Sequence, residues 1–234
     1  MTRADYLKTI LTQYDVVKIL SNKNAAEVLQ LRHKMQNKDI VVRSYQKSVL
    51  AYAKLKSISH PNIPTVFDVL DFEDGQIIFE EFIDGITVAE VLEQGKYTYH
   101  GAKKIIEGVA LALVALRKLD IVHRDIKPEN IIVTRGGAVK LIDFNAARIH
   151  TNGKQNDTVV LGTVGYAPPE QFGISQSNEK SDIYSLGVLL NVMLTGTHPS
   201  KQLAKGKAGK IVLKCTQIDP NHRYDNIEKF LQAI

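Results

Sequence analysis

The segment from His100 to Leu119 constrains the fold more than any other part of the sequence. Its apolar side chains recur at the three- and four-residue spacings of a helix. They are Ile105, Ile106, Val109, Leu113 and Leu116. A helix that is apolar on most of its surface must be covered by other elements on most of its sides. We therefore expect this helix at the centre of a helical core.

Other segments supply that cover. Ser181–Leu194 has the composition of a second buried helix, and Asn226–Ile234 that of a short third one. Thr87 is placed to cap a short helix that runs through Leu92. From residue 85 onwards the chain is therefore predicted to be mainly helical.

The first 84 residues have a different pattern, in which short β-branched runs dominate. The predicted strands are Asp15–Leu20, Ala26–Leu31, Asp39–Arg43, Thr65–Leu70 and Gln76–Phe82. One helix is predicted over Lys47–Ile58, before the proline-containing segment His60–Pro64. The expected class is α+β, with a β-rich lobe at 1–84 and a helical lobe at 85–234.

Composition excludes several classes of protein. Apolar residues are 44% and charged residues 24% of the chain, which is typical of globular proteins. The net charge of +5 is spread without an arginine-rich run, so nucleic-acid binding is not expected. No apolar stretch is long enough to span a membrane, and the first residues lack a signal-peptide core. The single cysteine, Cys215, favours a cytoplasmic location.

Three motifs follow one another in the helical part. They are His123-Arg124-Asp125-Ile126-Lys127-Pro128-Glu129-Asn130, then Asp143-Phe144-Asn145, then Gly162-Thr163-Val164-Gly165-Tyr166-Ala167-Pro168-Pro169-Glu170. In this order and spacing they resemble the eukaryotic-type serine/threonine protein kinases, and the resemblance extends from Tyr14 to Leu231. It implies a two-lobed kinase fold, a small antiparallel β-sheet lobe beside a larger helical lobe, that uses ATP and Mg²⁺.

The resemblance also implies roles for individual residues. Asp125 matches the catalytic base that receives the proton of the substrate hydroxyl, and Lys127 matches the lysine beside the transferred phosphate. Asn130 and Asp143 match the two metal ligands, whose oxygen atoms suit Mg²⁺. These four residues are the predicted catalytic set.

Supporting roles follow in the same way. Arg124 matches a pocket for a phosphorylated activation loop, with Thr158 as the candidate phosphorylation site, although a loop ordered without modification is the alternative. Thr163 matches the threonine that bridges the catalytic aspartate and lysine. Asp182 matches the anchor of the catalytic loop, and Glu170 with Arg223 matches a buried ion pair.

The departures from the family pattern lie in the first lobe. Ser21–Val28 replaces the glycine-rich loop without any glycine, and Ile40-Val41-Val42-Arg43 places arginine where the family has lysine. No acidic residue lies between Ser44 and Ser59, where a helix glutamate is expected. Asn145 replaces a glycine, and asparagine tolerates left-handed backbone geometry. The nucleotide-lining residues implied by the resemblance are Val28, Val41, Arg43, Glu80, Glu81 and Ile132.

The missing helix glutamate could be replaced by a residue of the sheet. Spacing places Glu80 beside the strand that carries Arg43, so we hypothesise that Glu80 replaces the missing helix glutamate as the partner of Arg43. The alternative is that Glu80 is an exposed strand residue, because a shift of one residue moves a side chain to the other face of the sheet.

Three functions fit these observations. The first is an active serine/threonine kinase, and the second is a pseudokinase that acts as a binding or scaffold module. A small-molecule phosphotransferase with the same fold is disfavoured by Lys127, Thr163 and the segment Pro168–Glu170. The expected partner is a protein substrate, while no oligomeric state is predicted.

The short stretch Thr195–Lys214 suggests a reduced docking insert for that substrate. Lys201–Lys210 within it carries four lysines and no acid. It is either a solvated loop or a docking patch for an acidic surface.

Overall fold

The first half of the fold is built on an antiparallel sheet of five strands. The computed structural model describes residues 2–23, 26–149, 163, 165–172 and 177–234, apart from the side chain of Lys23. The chain divides into an N-terminal unit, Met1–His60 with Pro64–Ile83, and a C-terminal unit, Pro61–Ile63 with Asp84–Ile234.

All five strands predicted for the N-terminal unit are present. They are β1 (Tyr14–Lys23), β2 (Ala26–His33), β3 (Asp39–Tyr45), β4 (Val66–Phe72) and β5 (Gly75–Glu81). Their order in the sheet is β1-β2-β3-β5-β4, and every neighbouring pair is antiparallel. Together with the helices of the C-terminal unit, this sheet confirms the predicted α+β kinase-like class.

The register of the sheet decides which side chains share a face. Val28 lies opposite Arg43, and Val41 lies opposite Glu80. Because side chains alternate along a strand, these four residues lie on one face. Leu29, Leu31, Val42 and Ile77 lie on the other face and form an apolar cluster with Ile10.

Ile10 belongs to a helix that the sequence analysis missed. Helix α1 (Arg3–Gln13) lies in a region predicted to be mainly β, and it packs against the sheet through Ile10. Thr2 caps it, since its hydroxyl accepts a hydrogen bond from the backbone N–H of Asp5 at 3.2 Å. The Asp5 carboxylate in turn accepts from the backbone N–H of Thr2. This capping box, Thr2-x-x-Asp5, was the signal available in the sequence.

Helix α2 (Leu50–Leu55) is shorter than the predicted Lys47–Ile58. Its N-cap residue, Val49, makes no side-chain capping hydrogen bond. Ala51, Tyr52 and Leu55 are buried, whereas Leu50 is 67% exposed. The helix is therefore a single short piece that packs through one face.

The described part of the C-terminal unit contains five α-helices. They are α3 (Val88–Gln94), α4 (Tyr99–Arg117), α5 (Glu179–Thr195), α6 (Gly206–Cys215) and α7 (Ile227–Ala233). The predicted cap of α3 is confirmed, because the Thr87 hydroxyl accepts from the backbone N–H of Glu90. The predicted central helix is α4, which packs against α5 and α7. Among the described helices, none has both the length and the apolar character needed to cross a bilayer.

Short strands complete this unit. They are β6 (Gly85–Thr87), β7 (Ile121–Val122), β8 (Ile131–Thr134), β9 (Val139–Leu141) and β10 (Arg148–Ile149). One small sheet has the order β6-β8-β9, and β7 pairs with β10. The loop from 123 to 130 connects β7 to β8, and the segment from 142 to 147 follows β9. Both motifs of the predicted catalytic set are therefore positioned by these strands.

Candidate active site

A buried carboxylate fixes the backbone of the loop that follows β7. Asp182, in the first turn of α5, accepts hydrogen bonds from the backbone N–H groups of His123 and Arg124, each at 2.9 Å. Burial raises the pKa of Asp182 to about 6, although the two backbone donors lower it. Arg124 has a φ of 68°, a left-handed conformation that is strained for a residue other than glycine. Asp182 therefore stabilises a backbone conformation that the loop would not adopt on its own.

Three side chains form a closed triangle of hydrogen bonds after this turn. The Lys127 ammonium lies 2.8 Å from Oδ2 of Asp125 and donates to the Thr163 hydroxyl at 2.9 Å. The Thr163 hydroxyl donates to Oδ1 of Asp125 at 2.7 Å. Residues 36 to 38 positions apart in the sequence thus meet around one carboxylate.

This triangle sets the charge of Asp125. Burial raises the pKa of the carboxyl, but the hydrogen bonds from Lys127 and Thr163 lower it by more, so the net pKa is below the usual value for aspartate. The side chains of Asp125 and Lys127 are 15% and 22% exposed, respectively. Asp125 is therefore an anion at neutral pH and is still accessible to a hydroxyl group.

Asn130 is oriented by the same aspartate. Its amide nitrogen donates to the backbone carbonyl of Asp125 at 2.9 Å and to Oδ2 of the same residue at 2.8 Å. With the nitrogen fixed in this way, the amide oxygen points away from Asp125. An amide oxygen is a hard ligand of the kind that Mg²⁺ prefers.

A backbone hydrogen bond connects the residue before Asp143 to Asn130. The N–H of Ile142 donates to the carbonyl of Asn130 at 2.9 Å, which ties the two predicted metal-ligand segments together. Asp143 itself has a φ of 65°. The described residues contain no cluster of three or more His, Cys, Asp or Glu side chains that would hold a metal by themselves. Such a pair of ligands suits a cation that keeps waters and substrate phosphates in its shell.

Asn145 does not use the left-handed backbone geometry that asparagine tolerates. Among the described residues other than glycine, φ is positive only at Asn37, Asp120, Arg124 and Asp143. The Asn145 N–H instead donates to Oδ1 of Asp143 at 3.3 Å. The strained residue of this motif is therefore the aspartate, and the loss of glycine at 145 requires no unusual backbone.

His123 and Phe144 pack together beneath the loop. Their ring centroids lie 5.2 Å apart in an edge-on arrangement. Both residues are fully buried. Burial lowers the pKa of His123 to about 4, so the ring is neutral and contributes packing at neutral pH.

The predicted pair of Glu170 and Arg223 is present and bidentate. The two terminal nitrogens of Arg223 bind the two carboxylate oxygens of Glu170 at 2.6 and 2.9 Å. The residue next to Glu170 was missed by the sequence analysis: Gln171 is 1% exposed, and its amide donates to the carbonyl of Arg124 at 2.6 Å. No sequence pattern distinguishes this glutamine from a surface residue, because its role depends on a contact 47 positions away.

The predicted nucleotide-lining residues belong to both units. Val28, Val41, Arg43 and Glu80 share one face of the sheet, as their register requires. Glu81 lies on the opposite face, where its carboxylate accepts from the N–H of Thr65 at 3.0 Å. Ile132 lies in β8 of the C-terminal unit, between Thr87 and Lys140 of the neighbouring strands.

Arg43 and Glu80 form the hypothesised pair. Nε of Arg43 lies 2.6 Å from Oε1 of Glu80, and the two side chains are 7% and 3% exposed. The alternative in which Glu80 is an exposed strand residue is therefore wrong. Thr158, the predicted phosphorylation site, lies outside the described residues.

Comparisons with known proteins identify the family of the chain. The family model for the protein kinase domain matches residues 14–232. The chain is 37% identical over 172 residues to the probable serine/threonine-protein kinase PknB of Lactococcus lactis. The aligned region covers 72% of the chain and 27% of that protein. It is 31% identical over 241 residues to the serine/threonine-protein kinase PrkC of Bacillus subtilis, which covers 90% of the chain and 36% of that protein.

A eukaryotic relative gives a similar match. The Aurora kinase of Eremothecium gossypii is 29% identical over 224 residues, which covers 91% of the chain and 61% of that protein. The chain spans 27% and 36% of the length of the two bacterial relatives.

Proposed function

Since this chain belongs to the protein kinase domain family, we propose that it is an active kinase that transfers the γ-phosphate of ATP to a serine or threonine hydroxyl of a protein. The observation that carries this proposal is the triangle of Asp125, Lys127 and Thr163. A pseudokinase has no need to keep an accessible carboxylate ionised by two hydrogen bonds. The names of the relatives, which are serine/threonine kinases, favour the same substrate class.

The proposed mechanism gives each residue one task. Asp125 orients the substrate hydroxyl and accepts its proton as the oxygen attacks phosphorus. Lys127 places a positive charge near the phosphoryl oxygens as negative charge develops on them. Thr163 donates to Asp125 and accepts from Lys127, so it keeps the two at a constant distance.

Asn130 and Asp143 are proposed to bind Mg²⁺. Their donor atoms, an amide oxygen and a carboxylate, fit this cation, and the backbone link from Ile142 to Asn130 keeps their segments together. Bound Mg²⁺ would neutralise charge on the ATP phosphates. The protein's part is to present the two oxygens and to keep Asp125 beside them through the hydrogen bonds from Asn130.

Transfer of labelled phosphate from ATP to a protein substrate tests the proposal. The Asp125→Ala variant should lose at least about 100-fold in rate, the low end of a general-base contribution. The Asp143→Ala variant should also lose transfer, because it removes a proposed Mg²⁺ ligand. Asp225→Ala, at an exposed aspartate of the same unit, is the matched control and should retain the wild-type rate. Equal transfer by wild type and Asp125→Ala would refute the assignment.

The pseudokinase alternative is favoured by one group of observations. No glycine lies in Ser21–Val28, no acid lies between Ser44 and Ser59, and arginine replaces the family's lysine at position 43. These features together point to weak handling of nucleotide. Equilibrium binding of ATP with and without Mg²⁺ separates the two functions, since the scaffold predicts neither Mg²⁺-dependent binding nor transfer.

We propose that Lys201–Lys210 is a docking site for an acidic segment of the protein substrate. All four lysines of this segment are exposed. The interpretation as a loop fails for its second half, because α6 begins at Gly206. A cavity of about 470 Å³ opens beside it, lined by Tyr99, Leu194, Thr195, Gln202, Leu203, Ala204, Lys205, Lys207 and Ala208. This lining combines two lysines with apolar side chains, so an acidic side chain next to an apolar one would complement it.

Substrate kinetics test the docking proposal. Changing Lys201, Lys205 and Lys210 to glutamate should raise the KM for an acidic protein substrate and leave kcat unchanged. Added salt should raise the wild-type KM in the same way, because exposed charges are screened. An unchanged KM in the variant would exclude docking at this segment.

The buried, unpaired Cys215 is consistent with a reducing compartment, so we place the chain in the cytoplasm.

A further inference from the structure

The ion pair inside the N-terminal sheet joins two neighbouring strands. Val41 of β3 lies opposite Glu80 of β5, and Arg43 lies opposite Ile78. Arg43 and Glu80 are therefore diagonal neighbours on one face, which allows their side chains to meet at 2.6 Å. Val28 of β2 lies opposite Arg43 on the same face. The pair thus lies among the residues predicted to line the nucleotide.

The strands fix this pair, and α2 has no carboxylate to add to it. The chain has no Asp or Glu between Ser44 and Ser59, and the side chains that α2 buries are those of Ala51, Tyr52 and Leu55. A carboxylate on a helix can approach or leave a strand when the helix shifts. A carboxylate on a paired strand cannot, because the backbone ladder between β3 and β5 keeps the separation constant.

We propose that Glu80 of β5, in place of a carboxylate on α2, is the positioning residue that holds Arg43 for the phosphates of ATP. The inference rests on the proposed function, since it assumes that ATP is the ligand. It also explains why arginine is suited to position 43. A guanidinium can engage a carboxylate through Nε and present its terminal nitrogens elsewhere, whereas a lysine has a single nitrogen.

A purely structural role is the competing explanation. Two buried charges are a poor way to stabilise a sheet, because well-packed apolar side chains of similar volume do so equally well or better. The double variant Arg43→Met/Glu80→Met exploits this difference. It removes both charges together, so it leaves no unpaired charge inside the sheet and should fold.

The experiment measures dissociation constants for ATP and for adenosine, together with the midpoint of thermal unfolding. In the wild type, Arg43 should make ATP bind more tightly than adenosine. In the double variant we expect that preference to fall by about 10- to 100-fold, the size of a hydrogen bond to a charged group, with adenosine affinity unchanged. An unchanged preference in a folded double variant would overturn the proposal.

A matched control removes an ion pair from the surface of the same unit. Lys56 and Asp68 form a pair at 2.7 Å whose side chains are 49% and 46% exposed. The Lys56→Met/Asp68→Met variant should keep the wild-type preference for ATP. If this variant lost as much preference for ATP as the buried double variant, the loss of any ion pair in the unit would weaken ATP binding, and the location of Arg43 and Glu80 would not be what matters.

Two single substitutions separate positioning from charge. Glu80→Gln keeps the charge of Arg43 but loosens its orientation, so ATP affinity should fall by about tenfold while adenosine affinity stays the same. Ala53→Gly weakens α2 at an exposed position and should leave both affinities unchanged. If Ala53→Gly lowers the preference for ATP, the site depends on α2 and the proposal is wrong.

The proposed kinase function and the proposed role of Glu80 can be refuted independently. A wild-type chain that prefers ATP through Arg43 but transfers no phosphate would refute the kinase proposal and leave the role of Glu80 intact. A wild-type chain that shows no preference for ATP over adenosine would refute the role of Glu80 directly.

Discussion

The ion pair between Glu170 and Arg223 should carry a large share of the stability of the C-terminal unit. The Arg223 side chain is 0% exposed and that of Glu170 is 6% exposed. Arg223 also donates to the carbonyls of Gln217, Lys180 and Ile218, at 2.8, 2.9 and 3.1 Å. The guanidinium therefore has a fixed place inside the protein and cannot turn to water when its partner is removed.

The Glu170→Gln variant breaks this pair with almost no change in volume. It removes the charge that balances Arg223 and places an amide where two carboxylate oxygens accepted hydrogen bonds. The Ser181 hydroxyl, which donates to Oε1 of Glu170 at 2.9 Å, also loses a charged acceptor. Breaking one side of a buried pair costs about 3–5 kcal/mol, and we expect the free energy of unfolding to fall by that amount.

Urea denaturation followed by far-ultraviolet circular dichroism measures this loss. Glu228→Gln is the matched control, because Glu228 pairs with Arg117 at the surface, where the side chains are 40% and 43% exposed. That control should lose no more than about 1 kcal/mol. A loss below about 1 kcal/mol in Glu170→Gln would refute the reasoning, whereas Glu170→Met/Arg223→Met should recover much of the stability.

Three further predictions concern the same unit. Gly187→Ala should destabilise by about 1–3 kcal/mol in urea denaturation, because its Cβ would clash with Cβ of Cys215 on α6, while Gly101→Ala, whose Cβ meets nothing closer than 3.4 Å, should not destabilise. The pKa of Asp182 is raised to about 6 in the folded state, so its contribution to stability is present below its ordinary pKa near 3.8 and is lost as the pH rises through 6. The stability difference between wild type and Asp182→Asn should therefore shrink by about 2 kcal/mol from pH 4 to pH 7, and a constant difference would contradict the shift. Asn191→Ala should lower the free energy of unfolding by about 2–3 kcal/mol, because the buried amide donates to two loop carbonyls and accepts one N–H. A loss below about 1 kcal/mol would show that these backbone groups find other partners.

Local patterns in the sequence were sufficient for most of the elements. The strands of the N-terminal sheet, the cap at Thr87 and the buried helix α4 depend on alternation, capping chemistry and helical spacing within a few residues. Where such signals were weak or overlooked, the prediction failed. Helix α1 has a capping box but little apolar periodicity, and α2 ends earlier than its apolar residues suggested.

The same division applies to the candidate site. The order of the motifs in the sequence was enough to indicate a protein kinase, because each motif is a run of neighbouring residues whose chemistry belongs together. The partners of those residues depended on contacts between distant segments. Gln171 meets the carbonyl of Arg124 only in the folded chain, and the left-handed residue of the 143–145 motif is Asp143 and not Asn145.

The sequence by itself determined the class of fold and the kinase resemblance, and it supplied the candidates for the catalytic residues. The bridge of Thr163 between Asp125 and Lys127 was implied by the resemblance, and the structure supplied its distances. Only the tertiary structure decided that Glu80 faces Arg43 and not solvent. The physical reason is the sequence separation of the residues that determine each feature. Helix and strand patterns are set by neighbouring residues, whereas the face on which Glu80 lies depends on strand register, and a shift of one residue would have placed its side chain on the other side of the sheet.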